Sequence, residues 1–199
     1  VAYSQGDYAT ARQYYQQALD IFTQLGNPQG EAGALSNLGG VAYSLGDYEA
    51  ARRYSQQALD TFTQLGDLNG QATSLGNLGN VASSQGDYAA ANQYLQQALD
   101  TFTQLGDSNG EATAVGNLGN VASNQGDYAM ARRYYQQALD IFTQLGDLNG
   151  KATALIELGS VAFRTSDFAA ANQYYQQALD TLTQLLRPRQ VEVTPRAAF

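Results

Sequence analysis

Asparagine recurs at positions 37, 77 and 117, and again at 80 and 120, in each case 40 residues apart. A primary amide carries donors and an acceptor on one short planar fork, so its chemistry is hydrogen bonding in both directions rather than the making or breaking of covalent bonds. A row of such forks matches an extended peptide, whose main chain presents unpaired amides and carbonyls. Each such bond nets only about 1 kcal/mol, so several aligned contacts plus apolar burial are needed to approach the roughly 8 kcal/mol of micromolar binding. The same asparagines would also serve to bond neighbouring helices and hold the repeat geometry. The residues alone leave both roles open.

Reacting groups are scarce. Cysteine and histidine are absent and Lys151 is the single lysine, which removes thiol nucleophiles, imidazole bases, disulfides and the usual zinc ligands together. Serines and threonines abound without a base to activate them, and the carboxylates read as caps and surface residues rather than a converging pair. No enzyme activity and no cofactor are expected. Asp67-Leu68-Asn69-Gly70 is faintly like a calcium loop, but Leu78 stands where the twelfth-position acid is needed. Capping explains Asp67 better, and no metal is expected.

Eighteen acidic residues against ten basic ones leave a net charge of -8. Three of the cations, Arg187, Arg189 and Arg196, follow residue 185 with only Glu192 against them, so the body of the chain is more acidic than the whole. Such a surface repels phosphate backbones and anionic lipid headgroups, so neither nucleic acid nor membrane is an expected partner. No stretch approaches the roughly 18 consecutive apolar residues of a membrane span, and nothing reads as a cleavable signal. A cytoplasmic location is expected.

What positions the asparagines is a repeat. Gln-Gln-Ala-Leu-Asp occupies 16–20, 56–60, 96–100, 136–140 and 176–180, and Thr-Gln-Leu begins at 23, 63, 103, 143 and 183. A fixed period of this length means stacked supersecondary units that share one continuous core. Gly46-Asp47-Tyr48 and its counterparts at 6, 86 and 126 predict helix junctions, the glycine ending one helix and the aspartate capping the next. Ser166-Asp167-Phe168 keeps the cap and loses the glycine. A helix of about 19 residues, B, is predicted from each such cap, with Tyr48, Ala51, Tyr54, Ala58, Leu59, Phe62 and Leu65 on its apolar side. Tyr8, Tyr14, Tyr54 and Tyr88 are assigned to packing by the same spacing. Arg52-Arg53 and Arg132-Arg133 fall on the solvated side of B, alternating with Asn92-Gln93 and Asn172-Gln173 as though the array had duplicated in blocks of 80.

Gly66-Asp67 closes helix B and caps a second helix, A; at the equivalent junction Asn27-Pro28 puts proline where a first turn tolerates it. Helix A is predicted to bury Ala34, Leu35, Leu38, Val41, Ala42 and Leu45, with Gly39, Gly79, Gly119 and Gly159 beside that arc for close helix approach. Its opposite arc reads Gly33, Asn37, Gly40, Ser44, then Thr73, Asn77, Asn80, Ser84, then Thr113, Asn117, Asn120, Asn124, then Thr153, Glu157, Ser160, Arg164.

Leu38-Gly39, Ala51 and Ala58, with Gly46-Asp47-Tyr48 between the helices, resemble the tetratricopeptide repeat signature, and five copies keep register. The 40-residue form, with its extended B helix and Asn-Leu-Gly-Asn at 77–80 and 117–120, is similar to the repeats of Pins/LGN-type adaptors and, more loosely, of kinesin light chains. Long arrays in bacterial signalling proteins also look like this. The resemblance implies an all-α, right-handed α-solenoid whose A helices line a concave side that holds extended peptides through Asn37, Asn77, Asn80, Asn117 and Asn120. Gly40 and Ser160 replace the second asparagine in the outer repeats and Glu157 replaces the first, so the ladder is complete only in the middle. The basic clamp that many such domains use for a peptide carboxylate is absent.

The expectation is a protein-interaction scaffold: an array over 1–185 with a truncated first repeat and four helix pairs starting near 28, 68, 108 and 148, then a tail or linker over 186–199 interrupted by Pro188 and Pro195. The expected groove comprises Asn37, Thr73, Asn77, Asn80, Ser84, Thr113, Asn117, Asn120 and Asn124, with Ile156, Glu157, Phe163 and Arg164 at its far end. Tyr3, Tyr43 and Phe163 at one edge are either side-chain pockets or partly buried packing residues. The chain opens with Val1 in mid-repeat and reads as a piece of a longer protein. Two alternatives stand beside peptide binding: self-association through exposed terminal repeats, and a ligand-sensing region of a larger signalling protein.

Overall fold

In the computed structural model, residues 7–186 are described. They form nine helices and no strand: α1 (Tyr8–Gln24), α2 (Pro28–Ser44), α3 (Tyr48–Leu65), α4 (Leu68–Ser84), α5 (Tyr88–Leu105), α6 (Ser108–Asn124), α7 (Tyr128–Leu145), α8 (Leu148–Arg164) and α9 (Phe168–Leu186). The even-numbered helices are the A helices of the sequence and the odd-numbered ones the B helices. Tyr3 and residues 187–199 lie outside the described residues.

The junctions follow from cap chemistry. Asp47 Oδ1 accepts the Ala50 amide at 3.0 Å, and Asp87, Asp127 and Asp167 hold Ala90, Met130 and Ala170 in the same way. At the B-to-A junctions, Asn27 takes the Gly30 amide at 3.0 Å with Pro28 behind it, and Asp67 takes Gly70. The second oxygen of Asp67 accepts from Gln29 at 2.7 Å, and the two bonds, the backbone one first, hold its carboxyl below the usual range. Both oxygens of the residue that opens the calcium-like stretch are therefore engaged in the fold. Between α8 and α9 the missing glycine leaves Ser166 at φ 63°, a left-handed conformation that a side chain disfavours.

Each helix packs on its neighbours in the chain, and next-but-one contacts occur between A helices, α2 with α4 and α4 with α6. Among the described residues no pair of B helices approaches as closely. The stack is therefore tighter on its A side and curves around it. The core runs along the stack as a row of equivalent clusters, such as Ala82, Ala91, Leu95, Leu118 and Val121, then Ala122, Ala131, Tyr135, Leu158 and Val161 one repeat on.

Two close approaches set the helix spacing. A side chain at Gly70 would overlap the buried ring of Phe62, and the same overlap recurs for Gly30, Gly110 and Gly150 with Phe22, Phe102 and Phe142. A Cβ at Gly79 would lie 2.6 Å from Leu95, and Gly39, Gly119 and Gly159 face Ser55, Tyr135 and Tyr175 in the same slot. Gly39 to Gly159 thus serve the close approach expected of them. The slot partner varies in size while the glycine does not. Ser55 is the smallest, and its buried hydroxyl has no hydrogen-bond partner among the described residues.

The apolar arcs match expectation at Ala34, Leu38, Val41, Ala42, Ala51, Ala58 and Phe62. Three assignments differ. Leu45 and Leu65 are half exposed because they stand at or beside helix ends, where the arc has run past its neighbour. Tyr14 is 63% exposed, since no described A helix precedes α1 to cover it. At the other end, α9 leaves Phe168, Leu179 and Leu186 largely uncovered.

Candidate functional site

The polar arcs of α2, α4, α6 and α8 converge on the inner side of the curve. Thr73, Asn77, Asn80, Thr113 and Asn117 line one cavity of about 300 Å³, walled by Ala98 and Phe102 of α5 and floored by Gly76. One repeat on, Thr113, Asn117, Asn120 and Glu157 line a second of about 340 Å³, with Ala138 and Phe142 of α7 and Gly116 in the matching places. A third, of about 300 Å³, joins Asn80, Ser84, Asn117, Asn120, Asn124, Glu157 and Arg164 along the edge that also carries Tyr43. Ten of the thirteen expected groove residues therefore meet in three adjoining hollows. Asn37 and Ile156 are exposed but line none of them, and Phe163 is turned aside onto Phe168 in an edge-on contact at 5.5 Å.

The side chains are not equally free. The Asn77 amide donates a long bond of 3.4 Å to Ser36, Asn124 one of 3.4 Å to Ser83, and Tyr43 and Ser84 share a hydroxyl bond at 2.9 Å. These three bonds tie α2 to α4 and α4 to α6. Thr73, Thr113 and Thr153 turn back to the carbonyls of Asn69, Asn109 and Asn149. Asn120 accepts the Tyr135 hydroxyl at 2.7 Å and keeps its amide donors. Asn80 and Asn117 show no side-chain hydrogen bond to the described protein, so both forks are open to a ligand.

The groove floor is unusual. A Cβ built on Gly76 or Gly116 meets no neighbouring atom within 4 Å. Packing therefore does not require glycine there, yet each glycine costs its helix about 1 kcal/mol relative to alanine. In the outer repeats the same position holds Ser36 and Ile156.

The asparagine ladder itself is neutral except at its far end, while the cap carboxylates of Asp107 and Asp147 border the first and second cavities. The Glu157 carboxyl is half-buried, and burial raises it above the ordinary range. Burial, and after it the Glu157 charge, raise the Tyr135 phenol. Arg164 does not pair with Glu157; its guanidinium lies 5.4 Å from the centre of the Tyr128 ring. Among the described residues no group of three or more acidic, histidine or cysteine side chains gathers to hold a metal, and no helix is long and apolar enough to cross a membrane.

Sequence reasoning missed Tyr135, Gly76 and Gly116. The signal for Tyr135 was present in the slot series 55, 95, 135 and 175, which varies in size opposite an unvarying glycine. A larger depression, of about 740 Å³, lies outside the groove between α1 and α3. Its Asp20 and Asp60 accept from Gln16 and Gln56, one turn back on their own helices.

A family model for tetratricopeptide repeats matches residues 1–64, 30–104 and 110–184. Among proteins of curated function none matches the sequence. Solved structures share the fold at low identity. BtubC (BKLC) from P. vanneervenii is 23% identical with a TM-score of 0.75, over 100% of this chain and 81% of its own. A Rap protein complexed with Competence and Sporulation Factor is 20% identical with a TM-score of 0.86, over 92% of this chain, which spans only about half (51%) of that protein. A putative kinesin light chain of nearly identical repeats from Podospora anserina is 13% identical with a TM-score of 0.68, over 94% of this chain and 92% of its own.

Proposed function

This chain belongs to the tetratricopeptide repeat family, whose architecture serves protein–protein interaction, and we propose that its A-helix groove binds an extended peptide segment. The main chain of that peptide runs along Asn77, Asn80, Asn117 and Asn120, over the floor at Gly76 and Gly116. The observation that carries this reading is the pair of register-matched cavities whose floors are helical glycines that packing does not need. Helix stability is given up there for room, and the room lies beside amides with unused hydrogen-bonding capacity. The Rap protein complexed with Competence and Sporulation Factor is a precedent for the fold in a complex with another molecule, at an identity too low to carry over a ligand.

The test is to select peptides on the immobilised chain from a random displayed library and measure them against a Gly76→Leu, Gly116→Leu variant. The Cβ of each leucine is clear of neighbours and the rest of the side chain enters the cavity, so the melting temperature should hold or rise while affinity falls by at least tenfold. Equal affinity for parent and variant would place the selected peptides elsewhere. The uncovered side of α9 favours a second reading, self-association through the end of the array. A monomer mass at every concentration in sedimentation would remove it.

A further inference from the structure

The two register-matched cavities are not chemically equal. Where the first has Asn117 and Leu95 supplies the slot residue, the second has Glu157 and Tyr135. The exchange puts a half-buried carboxylate into a ladder of neutral amides. Among the described residues Glu157 makes no hydrogen bond or ion pair, and Arg164, which borders the adjoining hollow, is engaged on the Tyr128 ring instead. A carboxylate part-way out of water without a cation is an uncompensated cost, and its burial already raises it above the ordinary range. The approach to it is apolar: Ala112, Ala138, Phe142 and Ala154 line the same 340 Å³. Asn120 and the cap residue Asp147 add acceptors to the same lining.

We propose that this cavity seats a lysine side chain of the bound peptide, its alkyl stem against the alanines and Phe142 and its ammonium on the Glu157 carboxylate. The assignment rests on the groove-binding reading and deepens it. Lysine matches the lining in both parts, because a four-carbon stem covers apolar surface while a three-donor head reaches the acceptors. A bare amino terminus would satisfy the carboxylate and leave the apolar wall uncovered. The first cavity has a cap carboxylate too, Asp107 in the place of Asp147, but Asn117 stands where the second has Glu157, so its pull on an ammonium is weaker and the lysine also favours one register of the peptide along the groove.

Three pentapeptide amides test this by NMR titration of the full chain: acetyl-Ala-Ala-Lys-Ala-Ala, the same peptide with norleucine for lysine, and a free-amine penta-alanine. The lysine peptide should bind about tenfold more tightly than the norleucine peptide, with the largest shifts around Asn117, Tyr135 and Glu157. Glu157→Gln should abolish that preference, whereas Asp100→Asn, which removes a charge bonded to Gln96 on the outer side, should preserve it. A preference that survives Glu157→Gln reflects the general acidity of the chain and overturns the assignment. So does a free-amine peptide that binds as tightly as the lysine peptide. If all three peptides shift the groove amides equally, the groove reading stands and the lysine site fails. If none shifts them, both fail.

Discussion

A variant carrying Asn77→Ala, Asn80→Ala, Asn117→Ala and Asn120→Ala is expected to bind peptides selected by the parent about a thousandfold more weakly, with unchanged helicity. Each amide removed forgoes about 1 kcal/mol, and four such losses approach three decades at roughly 1.4 kcal/mol per decade. The scaffold should notice little. Asn80 and Asn117 bond nothing in the described protein, and Asn77 gives only a long bond to Ser36. Asn120 is the exception, because its loss removes the acceptor of the Tyr135 hydroxyl, so Tyr135→Phe should be measured alongside. Titration with matched circular dichroism decides the matter. A loss below about threefold would mean that the amides serve helix stacking and that binding lies elsewhere.

Gly70→Ala with Gly110→Ala is expected to destabilise the fold by about 2 to 6 kcal/mol, at roughly 1 to 3 kcal/mol for each overpacked site. The alanine methyl would occupy the space of the Phe62 or Phe102 ring, and those rings are 6% and 8% exposed, with little freedom to move aside. The two sites lie one repeat apart and share no partner, so their effects should roughly add. Gly76 and Gly116 sit six residues further along the same two helices, and alanine there should stabilise, since nothing stands in its way. Urea unfolding followed by circular dichroism compares the pairs directly. Equal effects at both would show that helix propensity, not the aromatic contact, governs these glycines.

Much of this architecture was readable because its determinants are local. A cap aspartate acts on an amide two or three residues away, and a helical face is defined within one helix, so the 40-residue period, the junctions at 28, 68, 108 and 148 and the polar arc around Asn77 and Asn120 all follow from short windows of sequence. What escaped involves two or three helices at once. The Gly70 overlap with Phe62 crosses a helix junction, the Tyr135 bond to Asn120 joins two helices of a hairpin, and the cavity floors at Gly76 and Gly116 exist only once α5 and α7 stand beside them. Tyr14 shows the converse: its spacing is right for burial, but burial also needs a neighbour.

The junctions between helices bear on how such a chain changes over generations. α4 and α6 end in the same Gly-Asp cap and present the same buried leucine, glycine, valine and alanine, at 78, 79, 81 and 82 and at 118, 119, 121 and 122. Excision of residues 88–127 would join Asp87 to Tyr128 and seat α7 on α4 with every cap and nearly every contact regenerated. Gain or loss of a whole unit is thus a mild step for the fold, while a shift of a few residues breaks both interfaces at once. Inheritance can therefore set the length of the groove in whole repeats, leaving point substitutions at positions such as 157, where glutamate stands in place of asparagine, to set the chemistry of each one.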